Sequence, residues 1–332
     1  MTIPYQYGVL LPHFGSQASK QRLIEGSKQL ERYGFDSVWV RDHVVFHPHP
    51  HEDQNRTHVD PFVVLSAVAA STEKLTLAMG TLIPHRHPIH AALLLGSLEF
   101  MAGPGRVLSA WGIGGYSQEF DAIGMGEWDR KELLAEQVDI IRRLWTGEEV
   151  TYDGSFYRFN HVAIRPAPAS RSIPIWYGGT SAAAVRRAVE YCDGWIPGRM
   201  PRRDYRKLMD RMRRLADEAG KPLPRTGTIP FVSPGRTVEE GASHYRIPEL
   251  AEEAVHTKYL LPESGEFRTA SDFDGALMAG PADVIVEEVR KHQEAGAEHV
   301  VFDLRVRFQD WEECIQMLGE EVLPVLHRGD GR

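Results

Sequence analysis

Only two cysteines, Cys192 and Cys314, occur in 332 residues, far apart and without a CxxC spacing. That excludes a disulfide scaffold and points to a reducing cytoplasm, with each thiol serving as a small apolar group. No apolar run approaches the roughly 20 residues that cross a bilayer. The opening Met1-Thr2-Ile3-Pro4-Tyr5-Gln6 has neither the basic region nor the apolar stretch of a secretory leader, so a cytoplasmic location is expected. Positive charge is in deficit: 38 Lys and Arg face 46 Asp and Glu, a net −8. Nucleic acid and anionic membranes want a basic face, so neither is expected as a partner. Linkers rich in glycine or serine are missing too, and one domain with insertions is expected over 1–332. The remaining composition, 42% hydrophobic and 25% charged, is ordinary for an enzyme with a large core.

What the chain does contain is a recurring unit: a short apolar run, then glycine or ionisable groups, then a helical pattern. Ser37–Val40 runs into Arg41-Asp42-His43, and Leu75–Gly80 runs into Thr81 and Pro84-His85-Arg86-His87-Pro88. Val107-Leu108-Ser109-Ala110-Trp111 runs into Gly112-Ile113-Gly114-Gly115, and Ile173–Tyr177 into Gly178-Gly179-Thr180-Ser181. Further strands are expected at Tyr7–Pro12, near Gly194–Pro197, at about Thr226–Val232 and at His299–Leu304. Eight strands with helical connections predict an α/β fold, a single (β/α)8 TIM-type barrel, whose chemistry sits where strands end. Insertions are expected after strands four and seven, at about 112–127, 148–172 and 243–279. The second holds a hairpin turned at Asp153-Gly154, and Ser243–Met278 reads as a long irregular region.

Several strand-end groups have chemical meaning. In Gly178-Gly179-Thr180-Ser181, glycines let backbone amides approach an anion, and the hydroxyls and a following helix N-terminus add donors. The same residues also suit a plain strand-to-helix turn with a Thr or Ser cap. Histidine is the usual proton shuttle near neutral pH, and the carboxylate of Asp42 beside His43 could set its tautomer and raise its pKa. His85-Arg86 and His13 stand at other strand ends and are candidate substrate contacts. The loop with His47, His49, His51 and His58 tempts a metal reading, but its prolines extend the chain and splay the imidazoles, and no H-E-x-x-H helix exists. No metal is expected. Gly112-Ile113-Gly114 starts a dinucleotide turn, yet Ser117 occupies the third glycine position, which argues against a nicotinamide site.

The order of these pieces resembles the bacterial luciferase-like oxidoreductases, a superfamily of flavin- and F420-dependent enzymes. The resemblance is carried by Tyr7–Pro12, Gly34–His43, Gly80-Thr81 with Arg86-His87-Pro88, Gly105-Arg106-Val107 through Gly114, Glu119-Phe120, Ile175–Ser181, Asp193-Gly194-Trp195 and Gly280–Asp283. It implies reduced FMN or F420 at the C-terminal mouth of a barrel, a helical homodimer interface, and a non-prolyl cis peptide at Gly80-Thr81 or Thr81-Leu82. It also implies that Gly80, Thr81, Gly112, Gly114, Gly178, Gly179, Thr180 and Ser181 hold the cofactor. His43 and Asp42 would be catalytic, with Tyr116 and Glu119 as further substrate contacts. Trp39, Trp111 and Trp176 are expected to pack in the core or against the ring.

Two chemistries fit this resemblance. In the first, a two-component monooxygenase would use O2 and reduced FMN supplied by a separate reductase. The alternative is F420-dependent hydride transfer, which Asp42-His43 suits as well. Outside the resemblance stand a metal-dependent barrel hydrolase, whose usual His-x-His at strand one is missing, and a cofactor-binding protein without turnover. The residues name no substrate.

Overall fold

The computed structural model describes residues 5–169 and 172–329. Its strands, in chain order, are β1 (Gln6–Leu10), β2 (Ser37–Val40), β3 (Thr76–Leu82), β4 (Val107–Trp111), β5 (Val150–Asp153) and β6 (Arg158–Val162). They continue as β7 (Ile175–Gly178), β8 (Gly194–Ile196), β9 (Arg225–Thr228), β10 (Phe231–Pro234), β11 (Leu277–Gly280) and β12 (His299–Phe302). Eight of them close into a parallel barrel in the order β1-β12-β9-β8-β7-β4-β3-β2. Fully buried strands such as Ser37–Val40 read as continuous apolar runs because both faces are covered.

Local chemistry sets the helix ends. Helix α1 (Lys20–Tyr33) is capped by Ser19, and Gly34 ends it at φ +86°, a left-handed conformation that costs a glycine little. Helix α2 (Pro61–Ala69) starts on the Asp60 carboxylate with proline in its first turn, and α3 (Pro88–Ala102) starts the same way on His87. The other helices that matter below are α4 (Ser117–Ala122), α5 (Arg130–Trp145), α6 (Ala182–Tyr191), α7 (Arg202–Ala219), α8 (Val238–Ala242) and α9 (Ile247–His256).

Glycines make room for large rings inside the barrel. A Cβ on Gly8 would stand 2.3 Å from Ser37 Oγ and 2.8 Å from Trp39 Nε1, and one on Gly194 would stand 2.5 Å from the Trp176 ring. Trp39, Trp111 and Trp176 are all buried core groups. Trp39 Nε1 donates to Ser37 Oγ at 2.9 Å, and that hydroxyl meets His299 Nε2 at 2.8 Å, so these three polar atoms satisfy one another.

Two expectations change in the region after strand seven. The seventh barrel strand ends at Thr228, and Phe231–Pro234 leaves the barrel to pair in parallel with β11. Pro230 lies at the break, where it can donate no ladder hydrogen bond. The stretch from 243 to 278 is irregular only in part: it contains α9 and a short 3-10 turn at Ala270–Phe273. Together with β10 and β11 it forms a small core of its own around Phe231, Tyr245, Leu250, Phe267, Phe273 and Leu277. After strand four come α4, α5 and the β5–β6 hairpin, which is antiparallel as expected.

Three histidines are wholly buried in the fold. Desolvation holds His13 well below the usual imidazole range, His292 at about 4 and His299 at about 3. An unfolded histidine charges near pH 6.5, so between about 6.5 and 4 the unfolded chain binds protons that the folded chain refuses. Stability should therefore fall as pH drops through that window, read as a lower urea midpoint at pH 5 than at pH 7; an unchanged midpoint would contradict this account.

Candidate active site

A cleft of about 540 Å³ opens at the C-terminal ends of β2, β3, β4 and β7. Asp42, His43, Gly80, Thr81, Gly112, Gly114, Tyr116, Gly178, Gly179 and Ser181 all line it, so most of the residues singled out from sequence converge on one place. A smaller cavity of about 200 Å³ adjoins it toward the barrel axis, sharing Arg41, Gly80, Thr81, Gly178 and Gly179 and adding Arg199, Asp303 and Arg305.

The floor is the bulged end of β3. The Gly80–Thr81 peptide is cis, and the pairing of β3 with β4 shifts register between Gly80 and Leu82. The Thr81 side chain fits only because its neighbours lack one. A Cβ on Gly112 would lie 2.7 Å from Thr81 Oγ1, and one on Gly178 would lie 2.3 Å from Thr81 Cγ2. The glycines of β4 and β7 thus admit the threonine, which leaves a floor of backbone and one small side chain.

His43 is fixed at both ring nitrogens. Nδ1 meets Glu119 Oε1 at 2.6 Å, and Nε2 lies 3.2 Å from Arg41 Nη2. A guanidinium can only donate, so Nε2 must be the acceptor and the single proton of the neutral ring sits on Nδ1, facing Glu119. Burial, reinforced by the Arg41 charge, lowers His43 to about 3, so the ring is neutral at physiological pH. Burial acts in the opposite sense on Glu119 and raises its pKa. These contacts correct the sequence expectation. The carboxylate on His43 is Glu119 from α4 rather than its neighbour Asp42, and the imidazole is pushed down, not up.

The Asp42 carboxylate takes other partners. Its Oδ2 accepts from Arg86 Nη1 at 2.5 Å and from the Ile83 N–H at 3.2 Å, and His85 Nδ1 stands 3.7 Å away. Arg86 also donates to Asp60 at 2.8 Å. His85 and Arg86 are therefore committed to the loop after β3 and do not line the cleft, because the buried Asp42 charge draws the guanidinium inward. His13 is fully buried: its ring bridges the Leu11 carbonyl at 3.0 Å and the Arg41 N–H at 3.0 Å, tying the end of β1 to the end of β2. It does not line the cleft.

The turn after β7 forms the helix cap that was one of the two readings of these residues. Ser181 caps α6, its hydroxyl accepting from the Ala184 N–H at 3.2 Å, and Thr180 turns its hydroxyl to Tyr259. Gly179, at φ +114°, leaves the backbone open beside the first turn of α6. Arg187 lines the same end of the cleft, 3.4 Å from Tyr177 Oη, and makes no ion pair among the described residues. An unpaired guanidinium beside a helix N-terminus is a place for an anion.

Sequence reasoning missed the arginines. Arg41 donates to Glu52 at 2.8 Å, and Arg305 reaches the same Glu52 oxygen at 2.5 Å while pairing with Asp303. Arg199 pairs with Glu253. The strand-end rule that selected Asp42-His43 would have selected Arg41 beside them and Asp303 to Arg305 after β12. Arg187 had no such signal, since it lies within α6. The histidine loop also differs from expectation: His49 and His51 do not splay but stack, with ring centroids 5.2 Å apart.

The chain resembles known proteins over its whole length. It is 29% identical to an F420-dependent glucose-6-phosphate dehydrogenase of Microbacterium testaceum, with 99% of each chain covered. It is 30% identical to an F420-dependent hydroxymycolic acid dehydrogenase of Mycobacterium tuberculosis, over 57% of this chain and 51% of that protein. Among solved structures, an F420-dependent secondary alcohol dehydrogenase in complex with an F420-acetone adduct superposes with a TM-score of 0.77 at 21% identity, covering 97% of this chain and 99% of the other. The FMN-bound oxygenating constituent of 3,6-diketocamphane monooxygenase from Pseudomonas putida reaches the same TM-score at 18% identity, over 96% and 98%. The sequence profile of the luciferase-like monooxygenases matches residues 6–299, and the chain belongs to that family.

Proposed function

We propose that the protein is an F420-dependent oxidoreductase that moves a hydride between the deazaflavin and a small alcohol or carbonyl compound, with His43 handling the proton. The observation that carries this reading is the state of His43: a neutral imidazole in the cleft wall, its tautomer set by Glu119 and Arg41. The full-length relatives are F420-dependent dehydrogenases, which moves the choice away from the FMN monooxygenase that the sequence motifs put first. The FMN-bound structural neighbour, at 18% identity, speaks only for the fold.

The residues present fit a flat ring with an anionic tail. The Gly80–Thr81 floor offers backbone and little bulk, and the Gly178-Gly179 turn, the start of α6 and Arg187 offer donors and positive charge at one end. F420, when bound, supplies a hydride acceptor and donor that needs no oxygen. His43 Nε2 receives the proton of the alcohol O–H while the C–H electron pair leaves as hydride, so an alcohol becomes a carbonyl compound. Arg41, displaced from Nε2 by the incoming hydroxyl, donates to the oxygen as it gains carbonyl character. The imidazolium is balanced by Glu119 at 2.6 Å. Asp42 acts as a positioning residue, holding the loop after β3 through Arg86 and Ile83.

We also infer a single folding unit, a cytoplasmic location, a separate enzyme that recycles F420, and a homodimer. The exposed apolar side chains of Val63 on α2 and of Phe100 and Met101 on α3 suit the last of these. No helix among the described residues is long and apolar enough to cross a membrane.

Anaerobic mixing with oxidised F420 and a panel of alcohols should bleach the cofactor absorbance with no oxygen consumed; oxygen uptake with reduced FMN and none of this bleaching would overturn the reading. His43→Ala should lower kcat by about 10²–10⁴-fold while F420 still binds, as fluorescence titration would show. Replacing Arg41 with Gln removes a positive neighbour, so the His43 pKa should rise from about 3 yet stay below the solution value because burial persists. Ring-proton NMR titration measures this directly.

A further inference from the structure

The hydride-transfer reading leaves the histidine-rich loop between β2 and α2 without a task for two of its side chains. His49 and His51 stack with their planes 26° apart, and Glu253 of α9 meets them. One ligand atom from each of the three residues lies within 4.8 Å of the other two. The His51 side chain is 1% exposed, and neither of its ring nitrogens has a hydrogen-bond partner among the described residues. Its Nδ1 stands 3.4 Å from Glu253 Oε2. Buried polar nitrogens are normally satisfied, so this ring lacks a partner that the surrounding protein does not supply.

We propose that His49, His51 and Glu253 form a binding site for a zinc-class divalent cation that clasps the loop to α9 at the edge of the cleft. Two imidazoles and one carboxylate are a zinc ligand set with a fourth position left for water. His51, with both ring nitrogens unpartnered among the described residues, has a lone pair to offer a cation. Arg199 occupies Glu253 Oε1 and leaves Oε2 on the histidine side. Arg199, Arg41 and Arg305 oppose the cation, while Glu52 beside His49 favours it. The nearby guanidiniums weaken the site relative to one free of positive neighbours. His49 also lines the cleft, so the ion would stiffen part of the cleft wall without taking part in hydride transfer.

The test uses the full-length chain, stripped with a chelator and free of F420. Calorimetric titration with zinc chloride should give one equivalent bound, and cobalt(II) should give the visible bands of a four-coordinate nitrogen and oxygen site. Loss of an outer-shell partner typically weakens metal sites by about 10–100-fold, and loss of a ligand should cost at least as much. His51→Ala and Glu253→Gln should each weaken zinc binding by about tenfold or more. Glu253 is a third exposed, so its glutamine variant should fold even where the His51 variant does not. No uptake of either ion, or uptake that Glu253→Gln leaves unchanged, would overturn the assignment.

Discussion

One carboxylate, that of Glu52, holds the mouth of the barrel together. Its side chain is almost wholly buried, and it accepts from Arg41 at the end of β2, from Arg305 just beyond β12, and from the His49 N–H of its own loop. A buried charge with several donors is pulled far below the usual carboxylate range, and the two arginines account for most of that pull once its burial is overcome. Ion pairs taken out of water add little net stability, but breaking one by removing a single partner costs about 3–5 kcal/mol. Glu52 is therefore better understood as a device of geometry than of stability. Strands β2 and β12 flank β1, and one residue from the long loop fixes both of their ends.

The consequences run outward from that point. Held by Glu52 through Nη1, Arg41 presents Nη2 to His43, and that contact decides which ring nitrogen carries the proton. Glu119 then accepts the Nδ1–H hydrogen bond on the opposite side, from 76 residues further along the chain. The ring packs edge-on to His58 and lies near Phe46 and Tyr116, so water has little access and its neutral form is favoured. Burial and the guanidinium thus act in one direction, toward a neutral imidazole whose Nε2 carries no proton and accepts from Arg41.

The barrel and the place of the candidate cleft were legible because they depend on short-range patterns. Apolar runs ending in Arg41-Asp42-His43 or Gly178-Gly179 state where strands stop, and a parallel barrel puts those stops on one rim. The cis peptide fell on Gly80–Thr81, one of the two bonds expected. What the sequence concealed was partnership. Asp42 is adjacent to His43 in the chain, but the two side chains take different partners, Arg86 for Asp42 and Glu119 for His43, and both partners come from distant parts of the sequence. His13 was misjudged for a similar reason: a polar strand-end residue can be consumed by backbone atoms of the next strand. The segment after strand seven was misread because α9 is short, and its apolar positions Ile247, Leu250, Ala251 and Ala254 cover barely two turns.

That same segment, with β10, β11 and α9 gathered about their own apolar centre, behaves as a module plugged into the rim. Its interior shares little with the barrel's, while Arg199 and Tyr259 form the seam between them. None of the apolar residues at that second centre lines the cleft, so changes of side-chain volume inside the module can be absorbed there without reshaping the cleft wall.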